Sequence, residues 1–196
     1  MRTIKEPHLF DPKKIEVLEQ EGRKTWQNPN EILEKVEIYP DFIAADIGCG
    51  SGVFTIPLAH KVKKVYAIDV QKEMLDFLET KIKKYHLKNI ELKVAAENEI
   101  PLADENVDLL ISINTLHEFD DKDQMVKEMF RVLKPNGNAL ISDFQKKETD
   151  FGPPVFIRLS KNDAITLFER NGFTTLQTHQ LVYHYLLVFS KQTPPP

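Results

Sequence analysis

One cysteine in 196 residues rules out an intrachain disulfide, and it stands at position 49 inside a glycine-rich turn. Of the two readings open to Cys49, nucleophile or small backbone spacer, that setting favours the spacer. Histidine is also sparse. The six lie at 8, 60, 86, 117, 179 and 184, without the paired spacing of a zinc site, so no metal centre is expected. There is no basic surplus either. The formal charge is −4, which gives no support for a nucleic-acid partner. No apolar run approaches the ~18 residues that span a bilayer. Met1 to Pro7 lack the apolar core of a signal peptide, so the expected address is cytoplasmic. Nor are there internal repeats, or a linker marking a second large domain.

Glycine is scarce too, with seven in the chain, yet three of them fall at 48, 50 and 52. Ile43 to Ile47 form a short apolar run interrupted by the acid Asp46. After the glycines, Val53 to Ala59 read as the first turns of a helix. Strand, glycine turn and helix start together predict a binding loop for a polar cofactor. Glycine lets the backbone bend sharply and approach a ligand closely. The dinucleotide pattern G-x-G-x-x-G requires a glycine three residues after the second, and position 53 is valine, so that pattern is not met. Lys64 to Asp69 read as a second buried strand, ending in an acid 21 residues after Gly48. An acid there accepts hydrogen bonds from both hydroxyls of a ribose. Asp69 is equally placed to cap the helix that begins near Gln71, and the two roles are compatible.

Apolar runs alternate with helical patterns from residue 41 onward, which predicts a parallel sheet. Strands are expected near 43–47, 64–69, 90–95, 107–112 and 138–143, and helices near 52–60, 71–86, 121–134 and 160–171. Met74, Leu75, Leu78 and Ile82 make one apolar helix stripe, with lysines mostly on the other side. The segments 173–182 and 183–190 depart from this alternation and read as two strands of a hairpin. In the first 40 residues, Leu9-Phe10-Asp11-Pro12 and Trp26-Gln27-Asn28-Pro29 are helix-start signals flanking a charged helix around 13–24.

The phrase Asp46-Ile-Gly-Cys-Gly-Ser-Gly52 resembles motif I of class I S-adenosylmethionine-dependent methyltransferases. Other landmarks agree. They are Asp69, the run Val94-Ala-Ala-Glu-Asn-Glu-Ile-Pro-Leu102, the segment Asn114-Thr-Leu-His-Glu-Phe119, and Arg131-Val-Leu-Lys-Pro-Asn-Gly137. In the last of these Asn136 replaces a glycine of the family phrase, and both tolerate positive φ. The resemblance covers roughly residues 40 to 191. It implies a Rossmann-like α/β fold, with a seven-stranded sheet, helices on both faces and an antiparallel C-terminal hairpin. It further implies S-adenosylmethionine as cofactor, held by Asp46, Gly48, Cys49, Gly50, Asp69, Val70, Ala96, Glu97 and Asn114. The adenine-recognising acid usually falls where Ala96 stands, and its role is carried to Glu97 by a one-residue slip.

His117 and Glu118 follow the fourth strand and are the candidate catalytic residues, with His117 suited to act as a base near neutral pH. Packing or cofactor contact is the alternative for that histidine. Residues 1–40 are expected to form a helical lid and 41–191 the methyltransferase domain, with 192–196 a disordered tail. Phe10 and Trp26 either wall the substrate pocket or simply pack. The (Asn/Asp)-Pro-Pro-(Tyr/Phe) motif of base and glutamine methylation is absent after strand four. A small-molecule acceptor is therefore expected, as in the quinone- and sterol-type subgroup. Arg158, after Gly152-Pro153-Pro154, reads as a partner for an acidic substrate or as a surface arginine. Two other functions stay open: a cofactor-binding regulator without turnover, and a nicotinamide oxidoreductase disfavoured by the glycine spacing.

Overall fold

The computed structural model describes residues 9–19 and 26–192. Seven strands form one sheet: β1 (Ile43–Ile47), β2 (Lys64–Asp69), β3 (Ile90–Val94), β4 (Val107–Ile113), β5 (Leu133–Phe144), β6 (Thr174–Gln180) and β7 (His184–Ser190). Their order is β3-β2-β1-β4-β5-β7-β6. The first five are parallel, while β7 runs antiparallel to both β5 and β6. The helices are α1 (Ile15–Leu18), α2 (Pro29–Leu33), α3 (Thr55–Ala59), α4 (Lys72–Lys84), α5 (Lys122–Val132) and α6 (Lys161–Glu169).

The central strands read as continuous apolar runs because both faces are covered. Successive side chains alternate between two cores. Leu110, Tyr185, Leu187 and Phe189 join Met125, Met129, Leu167 and Phe168 of α5 and α6 on one face. Leu109, Ile111, Leu186 and Val188 join Ile32, Leu33, Leu58 and Ala59 of α2 and α3 on the other. Leu75 and Leu78, from the predicted stripe of α4, pack with Ala67 and Cys49 beneath the glycine turn.

Three element boundaries differ from the sequence expectation. The helix expected over 52–60 spans only Thr55–Ala59, because Gly52 at φ 81° keeps the turn open for longer. The helix expected to reach 134 ends at Val132, and β5 starts directly at Leu133. Its pairing then jumps from Val107↔Leu133 to Leu109↔Asn138, and the intervening turn places Asn136 at φ 64°. Near the N-terminus, a 3-10 turn over Pro12–Lys14 leads into the short α1. The remainder of the expected charged helix, and the end of the tail, lie outside the described residues. Asp11 and Asn28 both act as the expected caps, accepting from the backbone N–H two residues ahead, with proline next in line.

Candidate functional site

β1 and β2 lie side by side and deliver the glycine turn and Asp69 to the same end of the sheet. Gly48, Gly50 and Gly52 sit at φ 70°, 51° and 81°, the left-handed region that favours glycine. The N–H groups of Gly48 and Cys49 both donate to the Ile68 carbonyl, at 2.8 and 3.1 Å, which ties the turn to β2. Asp69 completes the tie. One carboxylate oxygen accepts from Gly50 N–H and the other from Gln71 N–H, each at 2.9 Å. Asp69 thus takes the expected place at the entry to α4 and also orders the turn. Asp46 is buried and accepts from the Thr55 hydroxyl at 2.6 Å, locking the turn to the start of α3. Val70 is half-buried, and its N–H also favours the ionised form of Asp69.

Acidity is concentrated around this turn. Burial raises the Asp46 carboxyl to about 7 against the Thr55 hydrogen bond, and the nearby Asp69 raises it further. Burial likewise raises Asp69, opposed by the N–H groups of Gln71, Gly50 and Val70. Glu118 is held at about 7 by burial, opposed by His117 and reinforced by Asp69 and Asp143. Burial and the Asp46 and Asp69 charges push the Cys49 thiol well up, which leaves it protonated and a poor nucleophile. Carboxyls so placed that Asp69 disfavours the ionisation of both Asp46 and Glu118 suit a ligand carrying positive charge. They would repel the pyrophosphate of a dinucleotide. The residues thus fit S-adenosylmethionine.

The loop after β4 closes the other side. Thr115 lies against Gly48 so tightly that a Cβ built on the glycine would stand 2.3 Å from its methyl carbon. Asn114, at φ 60°, exchanges two amide hydrogen bonds with Gln27, at 2.9 and 3.1 Å. His117 is buried, and its Nδ1 lies 2.8 Å from an Asp143 oxygen, while its backbone N–H donates to the second oxygen at 2.8 Å. Its Nε2 stands 3.8 Å from Glu118 Oε1.

The N-terminal segment runs across this same end of the sheet. Phe10 N–H donates to Glu118 at 3.1 Å, and the Gln71 amide donates to the Phe10 carbonyl at 2.9 Å. Leu18 approaches Gly50, and Lys81 bridges Glu19 to the Ser51 carbonyl. Trp26 stacks on His184 with ring centroids 5.2 Å apart and also meets Phe151 and Tyr183.

Not every candidate is gathered at the turn. Ala96 and Glu97 are exposed in the loop after β3, next to Ala95, whose N–H donates to the Asp69 carbonyl. Glu97 lines a polar groove with Glu99, Asp104, Glu128 and Arg131. Arg158 needs correction on both of its readings. It is neither a surface arginine nor open to a substrate, being 3% exposed and bonded to the carbonyls of Pro153, Gln145, Lys147 and Phe151 and to the Thr149 hydroxyl. Burial lowers its pKa, but its work is to hold the 145–158 loop in shape. Arg158→Lys offers three rotatable donors to five acceptors. It is expected to cost about 2 kcal/mol, a fall in Tm of roughly 4–8 °C measurable by calorimetry.

Asp143, Gln27 and Thr115 are the site residues that sequence reasoning missed. For Asp143 the signal was available, since an acid closing the buried run Ala139–Ser142 repeats the pattern that marked Asp69. Gln27 and Thr115 carried no signal beyond standing next to motif residues.

This sheet order, with a glycine turn leaving the first strand and an acid closing the second, defines an α/β protein that binds an adenosyl cofactor. The model of the methyltransferase domain family matches residues 45–141. A solved S-adenosylmethionine-dependent methyltransferase from Aquifex aeolicus is 31% identical, with a TM-score of 0.88 over 93% of this chain and 99% of that one. The chain belongs to the class I S-adenosylmethionine-dependent methyltransferases, whose cofactor is S-adenosylmethionine. Among curated relatives, the demethylmenaquinone methyltransferase of Lactobacillus johnsonii is 34% identical over 55% of this chain and 46% of its own length. The methyltransferase GfsG of Streptomyces halstedii is 26% identical over 89% of this chain and 58% of its own. The chain spans about half the length of the curated relatives it matches. No helix among the described residues is long and apolar enough to cross a membrane.

Proposed function

We propose that this chain transfers the methyl group of S-adenosylmethionine to a small-molecule acceptor. The observation that carries the reading is the glycine turn tied to β2 by Asp69, whose charge also disfavours ionisation of the nearby Asp46 and Glu118 carboxyls. Bound there, the cofactor supplies a methyl group already activated by its sulfonium charge. Gly48, Cys49 and Gly50 then give their backbone to its methionine and ribose portions, with Cys49 as spacer, and Asp69 and Val70 hold the ribose edge. Ala96 and Glu97 form the adenine side, and Asn114 closes the loop after β4. His117 and Glu118 face the acceptor. Residues 1–40 serve as a lid over the 41–191 domain, with 192–196 as a tail, since Leu18 approaches the turn, Glu19 is bridged to it by Lys81, and Phe10 bonds to Gln71 and Glu118. The name of the Lactobacillus relative favours an acceptor of quinone type. An acidic chain of this composition fits a cytoplasmic enzyme that does not use nucleic acid as its acceptor.

Thermal shift with S-adenosylmethionine, S-adenosylhomocysteine and NADH tests the cofactor. A shift with NADH alone overturns the reading. Labelled-methyl transfer into an extract of the protein's own host tests turnover, and no labelled product favours a regulator instead.

The pH dependence has a definite sign. The folded-state values of Asp46 and Glu118 lie above those of free carboxyls, so their contribution to stability is full below the usual carboxylate range. It is lost as pH rises through about 7. The ligand-free protein should therefore lose stability as pH rises from about 4, the last of the loss falling between pH 6 and pH 8. S-adenosylmethionine affinity should move the other way, rising up to about tenfold per carboxyl over the same interval as the sites ionise. S-adenosylhomocysteine, lacking the sulfonium charge, should show a smaller rise in parallel calorimetric titrations.

A further inference from the structure

We propose that Asp143 is a positioning residue that fixes His117 with its proton on Nδ1, leaving Nε2 to take a proton from the methyl acceptor. The clause about the acceptor rests on the methyltransferase reading, whereas the state of the ring does not. Asp143 is 1% exposed near the end of β5, with Ser142 and Phe144 buried on either side of it. Its two oxygens grip one residue at two points, the ring and the backbone N–H, both at 2.8 Å. That double hold fixes the turn and the ring together. An ionised carboxylate only accepts hydrogen bonds, so the nitrogen beside it must be the donor. Phe144 meets the ring edge-on at 6.3 Å, which limits its rotation.

In the neutral ring the opposite nitrogen therefore carries the lone pair, on the side of Glu118. In the proposed step the acceptor's bond to hydrogen breaks, its proton bonds to Nε2, and the electron pair stays on the acceptor atom. A base is required only for an acceptor that carries such a proton, which separates this chemistry from methylation of a thioether or a tertiary amine. The charged and titratable groups around the ring come from three elements. They are Asp143 on β5, Glu118 on the loop after β4, and Lys122 at the start of α5. Arg158 and the Tyr185 phenol stand behind Asp143. Burial by itself would lower the His117 pKa, and Asp143 with Glu118 more than offsets it, so the net direction is up.

Nitrogen NMR of the histidine-labelled, ligand-free full chain tests this, with His117→Gln assigning the signal. The wild type is expected to show protonated Nδ1 in its neutral form and to titrate above the ordinary histidine range. In Asp143→Leu the ring loses the acceptor beside Nδ1. Nothing then holds the proton on Nδ1 in preference to Nε2, and the titration falls by about one unit or more, since only Glu118 is left to oppose burial. A wild-type ring protonated on Nε2 overturns the proposal, as does a variant with unchanged tautomer and titration. The wild-type spectrum is decisive by itself if the variant does not fold. Because no cofactor is present, the outcome is independent of the thermal-shift test of methyl transfer.

Discussion

Gly48→Ala is expected to lower stability by about 3 kcal/mol and to abolish S-adenosylmethionine binding. Two costs add. A left-handed φ of 70° costs a residue with a Cβ about 1–2 kcal/mol. The new methyl would then stand 2.3 Å from Thr115 Cγ2 and 2.5 Å from its hydroxyl oxygen, and relieving such overpacking costs about 1–3 kcal/mol. Gly50→Ala separates the two effects. Its φ of 51° is also left-handed, but the nearest atom to its Cβ is Leu18 Cδ1 at 3.7 Å. Only the backbone cost of about 1 kcal/mol remains for stability. Cofactor affinity should still fall at least tenfold, because the methyl projects into the space between the turn and the N-terminal segment. Urea denaturation and calorimetric titration of both variants read these quantities. Equal stability losses would show that contact with Thr115 is not the cause.

Asp69→Ala is expected to weaken S-adenosylmethionine binding about 100-fold, the effect of roughly 3 kcal/mol. Hydrogen bonds to an ionised partner are worth about 1.5–3 kcal/mol each. The substitution removes the carboxylate proposed for the ribose and frees the Gly50 and Gln71 N–H groups that it now orders. A second readout follows from electrostatics. Asp69 raises both Asp46 and Glu118. Without it their titration moves below about 7, and the loss of ligand-free stability on raising the pH should be smaller and end at a lower pH. Unchanged affinity in this variant would remove Asp69 from the site.

What could be read in advance was whatever the chain encodes locally. The glycine turn, the acid at the end of β2, the parallel strands and the closing hairpin each have a pattern within a dozen residues, and all are present in the fold. Boundaries failed where tertiary context decides. Gly52 delays α3, and β5 takes over the last residues of the expected helix because Leu133 pairs with Val107. Distant pairings were invisible for the same reason. Arg158 and the five acceptors around it are brought together by loop shape, which no periodicity encodes. The partnership of Asp143 and His117 spans 26 residues and arises only because β5 lies beside β4. Gln27 reaches Asn114 across 87 residues, and neither amide has a pattern that names the other.

The position of β7 has a consequence for how the molecule comes together. Every residue of this strand is buried, and β6 is hydrogen-bonded to the sheet through β7 alone. Five parallel strands can align while the rest of the polypeptide is still emerging, but the outer edge of β5 stays unsealed until residues 184–190 arrive. A product terminated just before His184 would present that apolar ledge to its neighbours and self-associate rather than circulate as a weakened monomer.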